Sequence, residues 1–202
     1  MKQAVLDIFP SWSAQFEGRV HWMYLDIKGL VTTGVGNLID PEPSAQSLHW
    51  KHPDGSLATP FEIQSEWTVI KSHHELAHEG FRAAGVIAKL RIDDQQIDDL
   101  ILYHLQQDEK FMLRTLKDFE SWPADSQLAT CSMAWACGAG FTAKFQHWLA
   151  CALKQDWNGC ATNCEMNATH NPGLKPRNNA NFALFTAAAH INEPDAVHWK
   201  TP

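Results

Sequence analysis

Glu17, Asp26 and Thr32 stand nine and then six residues apart in the stretch EGRVHWMYLDIKGLVTTGVGNLID, which also carries Gly18, Gly29, Gly34 and Gly36. Two carboxylates on different structural elements can face each other across a gap. Cleavage of a glycosidic bond needs that arrangement: one carboxyl gives a proton to the leaving oxygen, and the other handles water or the developing positive charge. Glu17 follows Phe16 at the end of an apolar run and is expected to keep the proton, while Asp26 in a polar turn is expected to stay ionised. A hydroxyl at Thr32 offers a place to hold a water. Glycines at 34 and 36 strip side chains from the strand and let a bulky polymer approach the backbone.

These residues need a helix end and a hairpin to position them. Val5, Leu6, Phe9, Trp12 and Phe16 recur at helical spacing over residues 3–17, as a short helix or one interrupted at Pro10. RVHWMYLD then alternates, IKG supplies a turn with Gly29 free to take positive φ, and LVTTGVGNLI reads as the returning strand. The run from Asp40 to Pro60 is dense in Pro, Ser, Asp and Gly and reads as a loop with one short helical turn. Beyond it the pattern is helical: a long segment starting at Asp93 or Asp94, ADSQLATCSMAWAC stopped by Gly138 and Gly140, then FTAKFQHWLACALKQDW and KPRNNANFALFTAAA. The fold class expected is α+β, mostly helical, in one domain over residues 1–202. Residues 1–70 hold the N-terminal helix, β lobe and loop, and residues 71–202 form a helical lobe.

Composition narrows the partners. A hydrophobic share of 45%, with nine Trp and ten Phe, describes a packed chain and excludes disorder. A net charge of -7 with scattered Lys and Arg provides no basic patch, so no nucleic acid is expected. No apolar run of membrane-spanning length occurs, and MKQAVLDIFPSW lacks a signal-peptide core; synthesis in the cytoplasm without membrane insertion is expected. Five cysteines cannot all pair within one chain, and the absence of CxxC argues against a cysteine zinc knuckle; buried small hydrophobes are expected, with disulfides only in an oxidising compartment.

The spacing of the opening stretch resembles the signature of the phage-type lysozymes, glycoside hydrolase family 24. Its pattern of Glu-Gly, an aromatic before Asp, Gly three later and Thr-x-Gly-x-Gly-[His or Asn]-Leu is met by Glu17, Gly18, Tyr24, Asp26, Gly29, Thr32, Gly34, Gly36, Asn37 and Leu38. More loosely, IDDQQIDDLILYHLQQD, QLATCSMAWACGAGF and GLKPRNNANFALF resemble the family's connecting helix, buried central helix and late Arg-bearing segment. The resemblance implies a two-lobed lysozyme-like fold and hydrolysis of the N-acetylmuramic acid to N-acetylglucosamine β-1,4 bond of peptidoglycan, without a cofactor. It makes Glu17 the general acid, Asp26 the second carboxylate and Thr32 the residue that positions the water. A water held there implies inversion and carboxyls roughly 6.5–9.5 Å apart. Gly34, Gly36, Asn37 and Arg177 become expected substrate-binding residues, with Arg177 orienting Glu17; Trp22, as a ring for a sugar, and Thr33, as the hydroxyl next to Thr32, are expected beside them from their own side chains. GLVTTGVGNLIDP and WPADSQLATCSMAW resemble lysozyme-like domains attached to type VI secretion effectors; a phage lysis enzyme is the other form the resemblance allows. An effector implies delivery to the periplasm by a secretion apparatus and an immunity protein.

This chain departs from the family pattern in places. Asn37 stands where many members have His, and Ala136 where a sugar-binding amide is common. A second motif, HELAH, fits the zinc metallopeptidase pattern through His74, Glu75 and His78, although Phe81 breaks the longer metzincin form. A non-catalytic lysozyme-like module is the other alternative, against which the intact Glu17, Asp26 and Thr32 argue. Most tryptophans are expected in the core, with Trp22 or Trp50 open to stack on a sugar.

Overall fold

The computed structural model describes residues 1–169, 171–190 and 193–199. It is 57% helical with one three-stranded antiparallel sheet, so the class is α+β and mostly helical. The chain forms two compact units: Glu17–Ile101, and Met1–Phe16 together with Leu102–Pro202. The first unit thus runs past residue 70, through two further short helices. Among the described residues no helix is long and apolar enough to cross a membrane.

Unit Glu17–Ile101 is built on the sheet. Strand β1 (Val20–Leu25) pairs with β2 (Val31–Gly34), which pairs with β3 (Asn37–Leu38). Val20, Met23, Leu25 and Val31 are buried, as expected of a strand pair with one face in a core. Gly34 and Gly36 take φ of +63° and +77° and turn the chain between β2 and β3. The run read as one returning strand is therefore two, because glycine permits a reversal that apolar alternation does not reveal. At Gly34 the reason is also steric: a Cβ there would lie 2.6 Å from Asn37 Oδ1.

Helix α2 (Pro43–Gln46) is the single turn expected in the loop. Helix α3 (Pro60–Ser72) starts at Thr59, where Thr59 and Glu62 form a reciprocal capping box with Pro60 at the first position. Near its end the Trp67 indole N–H donates to the Ile39 carbonyl at 2.9 Å. Two short helices follow, α4 (Leu76–Glu79) and α5 (Phe81–Ile87), and then the N-terminal turns of α6 (Asp94–Met112). Arg19 ties the start of β1 to α6: Nε lies 3.0 Å from Asp94 Oδ1 and Nη1 2.6 Å from Asp98 Oδ1.

The other unit holds α1 (Gln3–Glu17) up to Phe16, an uninterrupted helix that carries Pro10 and buries Val5, Phe9 and Trp12. Helix α7 (Ala124–Cys137) is buried from Ala124 through Ala134. That explains its weak periodicity, since a helix covered on all sides has no polar stripe. The segment FTAKFQHWLACALKQDW is not one helix: α8 (Gln146–Ala152) ends, Gln155 takes φ of +54°, and α9 (Trp157–Asn163) restarts with Asp156 accepting from the Gly159 N–H at 2.9 Å. Helix α10 (Leu174–Ala189) packs on α7 and α9.

Candidate active site

Asp26 sits in the turn between β1 and β2. Its backbone N–H donates to the Leu30 carbonyl at 2.9 Å, and its carbonyl accepts from Gly29 N–H at 2.9 Å, with Gly29 at φ +73°. The side chain reaches back into the same turn, where Oδ1 accepts from the Lys28 N–H at 2.8 Å and the Leu30 N–H at 2.9 Å. Two backbone donors on one oxygen fix the carboxylate's orientation.

Tyr24 and Thr32 are direct register partners, as are Thr32 and Leu38. Opposed residues of an antiparallel pair project from one face, so the three form a row. Within it the Thr32 hydroxyl donates to the Leu30 carbonyl at 3.1 Å. With its proton committed, Thr32 can only accept, and a water beside it must point a hydrogen at Oγ1.

Glu17 is the last residue of α1, followed by Gly18 at φ +74°. It is exposed. Solvent therefore reaches the residue that the sequence places beside Phe16 at the end of an apolar run. Its relation to Asp26 shows at Tyr24. The half-buried phenol is pushed up to about 12 by burial first, then by the charge of Asp26, then by that of Glu17. Each carboxylate charge disfavours a second negative charge on the phenol oxygen.

No protein-family model and no curated protein matches the chain.

The other expected binding residues fare unevenly. Thr33 points to the opposite face from Thr32, is fully buried, and commits its hydroxyl to the Trp22 and Val20 carbonyls at 3.1 and 3.3 Å. The expectation that Thr33 binds substrate does not hold. Asn37 is buried, with Oδ1 accepting from the Val35 N–H at 3.0 Å; its Nδ2 has no partner among the described residues. Gly34 and Gly36 serve the turn. Trp22 donates its indole N–H to the Phe81 carbonyl at 2.7 Å and rests on Gly85, with the Arg91 guanidinium 5.1 Å above the ring. A sugar stacking there would share the ring with Arg91. Trp50 is fully buried with its N–H on the Ala45 carbonyl, so it cannot stack on a ligand.

Arg177, on α10 in the other unit, is fully buried. Its guanidinium lies 4.8 Å from the Phe16 ring centre and donates to the Ser132 carbonyl at 3.4 Å.

HELAH does not form the helical surface that zinc chemistry requires. His74 and Glu75 lie in a turn, and only Leu76–Glu79 is helical before Gly80 at φ +80° ends it. Leu76 is buried, which fixes the turn as a packing element, and the Glu75 carboxylate is held by His73 Nδ1 at 2.7 Å. Among the described residues no group of three or more His, Cys, Asp and Glu has a metal-holding arrangement.

Sequence reasoning missed two supports of the site. Tyr24 counted only as part of a pattern; the equal distances of Tyr24 and Thr32 from the turn were the signal that they pair. Lys71, on the last turn of α3, donates to the Gly29 carbonyl at 2.8 Å and to Asp40 Oδ2 at 2.6 Å. No local pattern announces that clamp.

Proposed function

We propose that this chain is a peptidoglycan hydrolase of the muramidase type, cleaving the N-acetylmuramic acid to N-acetylglucosamine β-1,4 bond by acid/base catalysis with inversion. The observation that carries the reading is the hairpin geometry: Asp26 is aimed by the Lys28 and Leu30 N–H groups two residues after Tyr24, the register partner of Thr32, and Glu17 stands three residues before the strand that bears Tyr24. In the mechanism Glu17 protonates the glycosidic oxygen. A water gives one hydrogen to Asp26 and points the other at Thr32 Oγ1, which leaves a lone pair aimed at the anomeric carbon. Exposure of Glu17 in the free protein is compatible with its role, since bound sugar expels water from such a site. The resemblance to phage-type lysozymes adds support through the spacing of residues 17–38 and assigns Arg177 to Glu17. It extends to a phage lysis enzyme or a secreted antibacterial effector acting on the wall after delivery; the effector would have an immunity protein and a secretion apparatus as partners.

Mass analysis of muropeptides released from purified peptidoglycan tests this. Reducing N-acetylmuramic acid ends are expected, and Glu17→Gln should slow turbidity loss by about 100-fold or more, the usual scale of a lost general acid. Release of N-acetylglucosamine ends or free peptides, or full activity in the Gln variant, would overturn it.

A further inference from the structure

We infer that the Tyr24 hydroxyl is a substrate donor: a neutral phenol that hydrogen-bonds an oxygen of the sugar bound beside Glu17 and Asp26. This rests on the glycosidase reading and adds to it a residue that contacts the reacting sugar.

The first argument is placement. Tyr24 stands opposite Thr32 and two residues before Asp26, on the row that carries the water-holding hydroxyl. Its ring is steadied by Phe81, which meets it edge-on with centroids 6.2 Å apart. A ring packed on one edge and paired across the ladder cannot swing freely, so its hydroxyl has a defined direction.

The second argument is an inventory of protons. Thr32 spends its hydroxyl proton on Leu30, and ionised Asp26 can only accept. The single proton of Glu17 is reserved for the leaving oxygen. Sugar oxygens and N-acetyl carbonyls need donors, and within this group only Tyr24 has one to spare: among the described residues its hydroxyl makes no hydrogen bond. Burial first, and the charges of Asp26 and Glu17 after it, also keep the phenol protonated, so it remains a donor while a carboxyl is ionised.

The bland alternative is that Tyr24 only fills space against Phe81. Tyr24→Phe separates the two, since it keeps the ring and removes the proton. An unchanged melting temperature and a fall of about tenfold in kcat/KM on peptidoglycan are expected, the scale of one lost hydrogen bond. Binding of tri-N-acetylchitotriose, followed by NMR, should weaken by a similar factor. The chain has two tyrosines, so Tyr103→Phe leaves Tyr24 as the sole phenol for ultraviolet titration. In that background Glu17→Gln and Asp26→Asn should each lower the titration midpoint, as the placement of the phenol near both carboxyls requires. Equal kcat/KM and equal chitotriose affinity in Tyr24→Phe would overturn the inference, as would a wild type that binds no chitotriose or a midpoint unmoved by both carboxylate variants. A wild type that binds chitotriose through Tyr24 yet leaves peptidoglycan intact would remove the hydrolase reading and keep the donor.

Discussion

Lys71 and Asp40 form an ion pair that supports the turn carrying Asp26. The ammonium lies 2.6 Å from Asp40 Oδ2 and also holds the Gly29 carbonyl at 2.8 Å, while the same carboxylate oxygen accepts from the Val31 N–H at 3.1 Å. One charge from α3 thereby fixes both the tip of the first turn and the start of β2. The catalytic carboxylate proposed at Asp26 is aimed by its own backbone, and that backbone is held from outside the hairpin.

Removing the clamp should loosen this unit. Burial raises the Asp40 pKa, but the Lys71 ammonium and the Val31 N–H outweigh it, and the net value falls below the ordinary 3.8. A depressed folded value means the stabilisation is present above the unfolded value and fades as pH falls through the folded one. Lys71→Met should therefore cost about 1–3 kcal/mol at pH 7, the range for a half-buried charged hydrogen bond left unpaired. The difference from wild type should shrink below the ordinary carboxylate range. Urea unfolding of both proteins at pH 7 and pH 3 checks this; a gap that is absent or identical at the two values contradicts it.

How much of this was legible in the sequence depends on the range of the forces involved. The first turn was readable, because Asp26 and Gly29 form it with their own backbone groups. The second was hidden, since the alternating run through residues 30–39 looks the same whether or not Gly34 and Gly36 reverse it. The division of α8 from α9 was also hidden, although Asp156 as an N-cap was an available signal. Of the two adjacent threonines, alternation required that one face away, but only the register with Tyr24 says which. HELAH matched a motif because residue identity says nothing of a helix that begins at Leu76 and ends at Gly80.

The two turn glycines should respond differently to a methyl group. Both have positive φ, which costs an alanine about 1 kcal/mol or somewhat more. At Gly36 nothing lies within 4 Å of the added Cβ, whereas at Gly34 it meets Asn37 Oδ1 at 2.6 Å. Gly34→Ala should lose about 2–3 kcal/mol, strain and a displaced Asn37 together, against about 1 kcal/mol for Gly36→Ala. Chemical denaturation of both variants measures the difference, and equal losses would remove the steric argument.

Thr32 gives a test of the water-holding role that spares the strand. Valine preserves the β-branched shape but has no oxygen; serine keeps the hydroxyl and its bond to the Leu30 carbonyl. If Thr32 accepts a hydrogen from the attacking water, Thr32→Val should lower kcat on peptidoglycan by about 10- to 100-fold with little change in KM, and Thr32→Ser should retain most activity. Similar rates in both variants would mean that the hydroxyl serves the fold alone.

In the other unit, Asp125 and His198 make a second pH-dependent contact. Asp125 opens the first turn of α7 with no exposed side-chain surface, and accepts from the His198 N–H at 2.8 Å while its other oxygen lies 2.9 Å from His198 Nδ1. Burial pushes its pKa up, and the His198 backbone, ring and charge pull it back only in part. A carboxyl raised on folding stabilises the native state below its unfolded value and loses that contribution as pH rises through the folded one. His198→Ala removes the ring's share of the compensation, so the buried carboxylate becomes costlier where it is ionised. The variant should be less stable by about 1–3 kcal/mol at pH 7, with the gap closing as pH drops below the ordinary carboxylate range and Asp125 takes up its proton. Protease susceptibility of residues 193–199 should rise with the same pH dependence, because the His198 ring anchors that segment to α7. A gap that widens in acid would mean that the histidine charge, and not the buried carboxyl, governs the contact.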